Sequence, residues 1–162
     1  MKYPLYKGNA KNTGNAFSFS LSKDKKAFWI NAVNQFSYNE NSPSTNKASF
    51  KGNAKNPEKS ISIKINATEL GGMVAALKCF GTWDTVHTYQ KDGNKVTTSI
   101  KLGVWKRENN PKGDAMSLSI NSGSKKFGIA LEKGEIEVIR VLMEESIVEL
   151  LKSGEFEEEA AE

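Results

Sequence analysis

Trp29 and Trp105 stand in stretches where every second residue is apolar. In "AFWINAV" Phe28, Ile30 and Ala32 alternate with Trp29 and Asn31; in "SIKLGVW" Ile100, Leu102 and Val104 alternate with Lys101 and Trp105. Successive strand residues point to opposite faces, so turning the apolar set toward a core forces the other set outward, indoles included. Applied to the remaining alternating stretches, the same parity sends Ser18, Ser20, Ser62, Lys64, Ser99, Ser117, Ser119, Asn121 and Lys126 outward. This outward set holds lysines, hydroxyls, amides and two indoles, and no carboxylate. Lysines neutralise phosphates, hydroxyls and amides hydrogen-bond to sugars and base edges, and indoles stack on unpaired bases for about 1–3 kcal/mol each. The expectation is a surface for a single-stranded polyanion. The rival reading places both indoles in a subunit interface or under a loop.

A repeated hexapeptide adds to this set. KGNAKN occurs at 7–12 and again at 51–56, and each copy precedes an alternating run, "AFSFSLS" and "SISIKI". Read as two hairpins of one design, the copies point Tyr6 and Phe50 inward. Lys7, Asn9, Lys11, Lys51, Asn53 and Lys55 then point outward, at two edges of one sheet. Gly8 and Gly52 would remove side chains where a backbone or a ligand comes close.

Charge agrees with the surface. The 162 residues carry a net charge of +4, but residues 1–131 hold twenty bases against eight acids, net +12, and 132–162 hold eleven acids against three bases. A basic body followed by an acidic tail, "EFEEEAAE" at 155–162, makes the body a candidate polyanion binder, with plain solubility as the alternative that charge alone leaves open. Five glutamates in so short a run repel one another, so the tail is expected to be disordered, with Phe156 as an anchor for partner proteins. No apolar run approaches the roughly 20 residues a membrane helix needs. "MKYPLYKGNAK" has no apolar signal core, so a cytoplasmic location, at a nucleoid or viral replication site, is expected rather than secretion. A single cysteine, Cys79 in "ALKCF", excludes an internal disulfide and a multi-cysteine zinc site, and reads as a core thiol. The sequon at Asn66 reads as a helix cap.

Enzyme chemistry finds little support. His87 is the only histidine, and parity puts it beside Trp83, Thr85 and Tyr89, with Asp84 on the other face. A Cys79–His87 pair would need hydrogen-bond reach, and only nearness in sequence favours it. "LGGM" lies inside a helical pattern and lacks the lysine of a phosphate loop. The tail lacks the spaced ligands and glycine of a calcium loop. No catalytic residue, metal or cofactor is expected.

These residues need elements to hold them. Period-two stretches at 16–22, 60–65, 96–105 and 115–120 predict strands, joined by 26–36, 83–90 and 125–131, with Asp92-Gly93 as a hairpin turn. Period 3.6 predicts helices at 66–78, with a capping-box spacing from Asn66 to Glu69, and at 134–154, closed by Gly154. Leu70, Met73, Val74 and Leu77 form one apolar stripe; Ile136, Ile139, Met143, Ile147, Leu150 and Leu151 form the other. Val138, Val141, Leu142 and Val148 lie off that second stripe and predict burial against another subunit. Residues 60–77 align with 126–143 at a shift of 66. The expected fold is α+β, one domain over 1–154. Four strands and a helix make one unit (1–79), and four strands and a helix make a second (80–154), with 1–11 adding a further strand.

The order of motifs over roughly 5–151 resembles the Whirly family of single-stranded DNA-binding proteins. Lys7-Gly8-Asn9-Ala10 and Lys51-Gly52-Asn53-Ala54 resemble its KGKA-type strand motif. Thr68, Glu69, Leu70 and Gly71 resemble its helix start, and 116–151 its closing strand pair and long helix. The resemblance implies two antiparallel four-stranded sheets with helices on one side, tetramers through those helices, and single-stranded DNA along the sheets. That tetramer is the expected assembly, with a dimer second. Asparagine at the third motif position, twice, and the missing plant-type transit segment depart from the family. The acidic tail is more similar to those of phage and bacterial single-strand binders, which would put replication or recombination proteins among its partners. Kinetoplastid guide-RNA annealing proteins share the implied fold, and a transcription coactivator has a related one, so RNA remains an open ligand. An interaction protein that binds no nucleic acid is the further alternative.

Overall fold

The computed structural model describes residues 1–154; the tail at 155–162, with Phe156, lies outside the described residues. Alternation in the first half builds β1 (Lys2–Lys7), β2 (Asn15–Leu21) and β3 (Phe28–Asn34). A short hairpin of β4 (Ser37–Tyr38) and β5 (Ala48–Ser49) follows, then a 3-10 turn at Lys51–Asn53, β6 (Ser60–Ile65) and helix α1 (Ala67–Cys79). The second half builds β7 (Trp83–Lys91), β8 (Asn94–Trp105), β9 (Ala115–Ser122), β10 (Lys125–Leu131) and helix α2 (Lys133–Ser153). The sheets are antiparallel and four-stranded, ordered β1-β2-β3-β6 and β10-β9-β8-β7. The fold is α+β. Residues 1–11 do not add a strand to a finished sheet; β1 is the fourth strand that completes it.

The inward parity of β2, β3, β6, β8, β9 and β10 is the expected one, while that of β1 is not. Phe17, Phe19, Phe28, Ile30 and Ile65 of the first sheet share one hydrophobic cluster with Ile100, Met116, Leu118, Ile120 and Leu131 of the second. Leu70, Met73 and Val74 of α1 and Ile136, Ile139 and Met143 of α2 close it. Leu142 is buried as well, so it belongs to this core and not to an outer face, while Leu151 is exposed. Cys79 is exposed at the end of α1 rather than set in the core. Asp92 and Gly93 both have positive φ, as a two-residue hairpin turn requires.

Both helices start with a glutamate folded back on the chain. In α1 the Asn66 side chain accepts from the Glu69 N–H at 2.8 Å, and the Glu69 carboxylate accepts from the Asn66 N–H at 3.1 Å. In α2 the Glu135 carboxylate accepts from the Glu132 N–H at 3.0 Å. Glu69 and Glu135 match at the shift of 66 found in sequence. Gly72 lets Trp83 lie on α1, since a Cβ there would sit 2.3 Å from the indole nitrogen.

The two KGNAKN copies do not form equivalent edges. The first ends β1 and turns; the second is the 3-10 turn and its continuation, off the sheet. Their glycines admit the chain itself: a Cβ at Gly8 would lie 2.1 Å from that of Ala48, and one at Gly52 2.5 Å from the Phe36 ring. Asn53 is buried, donating to the carbonyls of Asn34 and Gln35 at 3.1 Å each, so its outward assignment is corrected. Gln35 is the hub. Its Oε1 accepts from the N–H groups of Asn9 and Gly14, and its Nε2 donates to the carbonyls of Asn9 and Ser37. Gln35→Leu removes the acceptor of two backbone donors, the buried Gly14 N–H and the partly buried Asn9 N–H. It is expected to cost about 1–3 kcal/mol in urea unfolding, and Gln35→Glu at neutral pH at least as much, because it buries a charge and turns a second oxygen on the carbonyls of Asn9 and Ser37.

Candidate nucleic-acid interface

Residues opposite one another in an antiparallel pair share a face, so the register assigns each outward side chain. On the first sheet Trp29 lies between Ser20 and Lys64, and Asn31 between Ser18 and Ser62. Asn31 donates to the Ser18 hydroxyl at 3.3 Å and accepts from that of Ser62 at 2.6 Å, which fixes its amide. Trp29 is half-buried and Lys64 exposed. The same register brings Lys2, Pro4 and Tyr6 onto this face, opposite Ser20, Ser18 and Ala16.

This reverses two assignments in β1. Leu5, not Tyr6, sits opposite Phe17 and is buried, so Tyr6 turns outward with 59% of its surface exposed. Lys7 therefore falls on the inner parity, where its ammonium pairs with Glu135 at the start of α2. Negative charge is favoured at a helix N-terminus, and Lys7 compensates it there. Asn9 braces its own turn through Thr13. Lys11, Lys51 and Lys55 are exposed on turns beside the sheet.

On the second sheet Lys101 lies between Asp84 and Ser119, Lys126 follows Asn121 and Ser99, and Trp105 is opposite Ala115. Asp84 gives this face a carboxylate that the outward set named from sequence did not include. Trp105 is 48% exposed and walls a shallow groove of about 470 Å³, paved by Ser117, Ser119, Gly128 and Ala130. Side chains this small leave the indole standing above its neighbours. The site residues thus form two faces, one on each sheet. The sheets meet where Asn34 donates to the carbonyl of Lys126 at 3.1 Å and Asn15 to that of Gly128 at 2.9 Å.

The glutamates of α2 are paired on the helix side. On α2, Glu135 pairs with Lys7, Glu144 with Lys78 and Arg140, and Glu149 with Lys25. Each of these pairs is partly solvated, so its value lies in neutralising the helix rather than in stability. His87 Nε2 lies 2.6 Å from a Glu69 carboxylate oxygen, which also accepts from Thr85, so the histidine ties β7 to α1. No group of three or more His, Cys, Asp or Glu able to hold a metal occurs among the described residues.

Lys2, Tyr6 and Arg107 escaped the sequence reading. Tyr3, Leu5 and Tyr6 compete for the inward position, and only the register with β2 decides between them. Arg107 lies beyond the strand predicted at 96–105, and its place two residues after Trp105 is the signal for it. Its guanidinium lies 5.5 Å from the centre of the Trp105 ring. It makes a bidentate pair with Glu132 at 2.6 and 2.9 Å and donates to the Gly113 carbonyl at 2.8 Å. Cation–π contact on one ring face holds the indole and leaves the rest of it available.

The Arg107 hydrogen bonds hold the Glu132 carboxyl below the usual carboxylate range. A depressed value means the pair is fully formed above the unfolded carboxylate pKa of about 4.3 and lost as pH falls through the lower folded value. Tryptophan emission is expected to stay constant from neutral pH to about pH 5 and to change below about pH 4. Glu132→Gln is expected to show the altered emission at neutral pH and no further acid step from this pair. Comparison of the chain with models of protein families gives no match, nor does comparison with curated proteins, so the functional reading rests on this geometry.

Proposed function

We propose that the protein binds single-stranded nucleic acid, DNA foremost, along the outer faces of both sheets, with little sequence preference. The observation that carries this is the grouping of lysines around two outward indoles, of which Trp105 is the more exposed, with Asp84 as a carboxylate opposite Lys101. Trp29 with Lys64, and Trp105 with Lys101 and Lys126, occupy outward faces, while the glutamates of α2 are paired on the helix side. A flexible strand can lay bases on indoles and phosphates near lysines; a duplex hides its base faces. Two four-stranded antiparallel sheets joined to two helices are also the layout that the resemblance to the Whirly family implies, and they support that reading.

The test is a titration with poly-dT, duplex DNA and single-stranded RNA. The single strand is expected to bind more tightly than duplex, with affinity falling steeply as salt rises through counterion release. Trp29→Ala and Trp105→Ala are each expected to cost about 1–3 kcal/mol of binding with the fold intact. Lys101→Ala is expected to lower the salt slope by about 1. Equal affinity for duplex and single strand, or wild-type binding by both tryptophan variants, overturns the reading.

Assembly follows from α2. Val138, Val141, Val148 and Leu151 are each about half exposed, on the side of the helix away from the core. Covering them against a second copy yields roughly 25 cal/mol per Å² of apolar area. A tetramer is proposed, with a dimer as the lesser assembly. Val141→Glu with Val148→Glu is expected to give a monomer by light scattering at micromolar concentration. A wild-type monomer there contradicts the proposal.

A further inference from the structure

The segment between β3 and β6 arches over the outward face of the first sheet and encloses a pocket of about 510 Å³. Its wall is Tyr6, whose ring meets that of Phe50 at 5.8 Å between centroids and 49° between planes. Phe50 is buried, so it braces Tyr6 from one side while Tyr6 keeps more than half its surface exposed. Ser18 and the fixed amide of Asn31 line the floor, and Asn46 comes from the arch. Lys2 and Lys51 are the charged residues lining it, both exposed, and no carboxylate is among the lining residues.

We infer that this pocket receives one nucleobase of a bound single strand, flipped against Tyr6, with the adjoining phosphate between Lys2 and Lys51. The inference rests on the proposed function and goes beyond it, because it adds base preference to a surface otherwise indifferent to sequence. Four features select this occupant. The volume lies in the range of small-ligand sites and suits a nucleotide rather than a peptide helix. An exposed aromatic ring offers stacking. Asparagine and serine groups offer donors and acceptors to a base edge. The floor belongs to the face that carries Trp29 and Lys64, so a strand on that face passes the mouth. The arch gives both KGNAKN copies a use: Gly8 of the first admits Ala48 and brings the segment down onto the end of β1, and Gly52 of the second admits Phe36 and closes the arch on itself.

The experiment has two arms. In the first, dAMP, dCMP, dGMP and dTMP are titrated separately and the side-chain amide and indole N–H NMR signals are followed. At least one mononucleotide is expected to shift those of Asn31 and Asn46. In the second, dA, dC and dT oligomers of one length are compared at fixed salt. Wild type is expected to differ at least fivefold between the best and worst homopolymer. Ala54→Trp, which fills the pocket from its exposed rim, is expected to bring the ratio within about twofold and abolish the mononucleotide shifts, while single strand is still preferred over duplex. Tyr6→Ala, a surface change that leaves the core intact, is expected to do the same and serves if Ala54→Trp does not fold. Oligomer binding with no mononucleotide shifts, or with shifts confined to the Trp105 groove, overturns the pocket and leaves the proposed function standing. Pocket variants that lose mononucleotide binding but keep the homopolymer ratio also overturn it, assigning the pocket to a free nucleotide. Loss of all oligomer binding in wild type overturns both.

Discussion

The alternation of the strands is the constraint on which the rest depends. Each sheet has one face turned to a shared core, and the aromatic and branched residues at every second position fill it. Once Phe28 and Ile30 are buried, Trp29 cannot be buried with them; once Leu102 is buried, Lys101 and Gly103 face away. A one-residue slip would invert both faces together, exposing the phenylalanines and burying lysines without partners. The outward indoles and lysines are therefore held by the same burial that stabilises the fold.

The N-terminal turn of α2 connects this core to both sheets. Glu135 holds Lys7 at the end of β1, and Glu132 holds Arg107 beneath Trp105. Two carboxylates three residues apart thus reach an edge strand of one sheet and the indole of the other. Their position suits the partial positive charge of a helix start, which stabilises the carboxylates before either cation arrives. The matching glutamate of α1, Glu69, takes Thr85 and His87 instead, so the two helices use one capping device to secure different strands.

The repeated hexapeptide shows how context decides a segment. Both copies are polar, glycine-containing and rich in asparagine, a composition suited to turns. One ends a strand, and the other makes a 3-10 turn above the sheet. Buried Gln35 joins the first copy to the arch, and Asn53 of the second closes on the carbonyls around it. Polar side chains here replace the backbone ladder that a real pair of edges would have supplied.

Residue order alone determined the strands of the two four-stranded sheets, the two helices, and the inward parity of β2, β3, β6, β8, β9 and β10, because burial period is a local property. The capping residues Asn66 and Glu69, the Asp92-Gly93 turn and the terminal Gly154 were legible for the same reason: each acts within a few residues of itself. Only the tertiary structure decided the faces of Tyr6 and Lys7, since three apolar residues in "YPLY" compete and the pairing partner Phe17 selects among them. It likewise decided that Asn53 is a buried bracket, that Leu142 belongs to the core, and that Arg107 supports Trp105. The roles of Asn53 and Arg107 depend on partners 18 and 25 residues away, in the Asn53–Gln35 and Arg107–Glu132 contacts, and no local periodicity encodes such a distance.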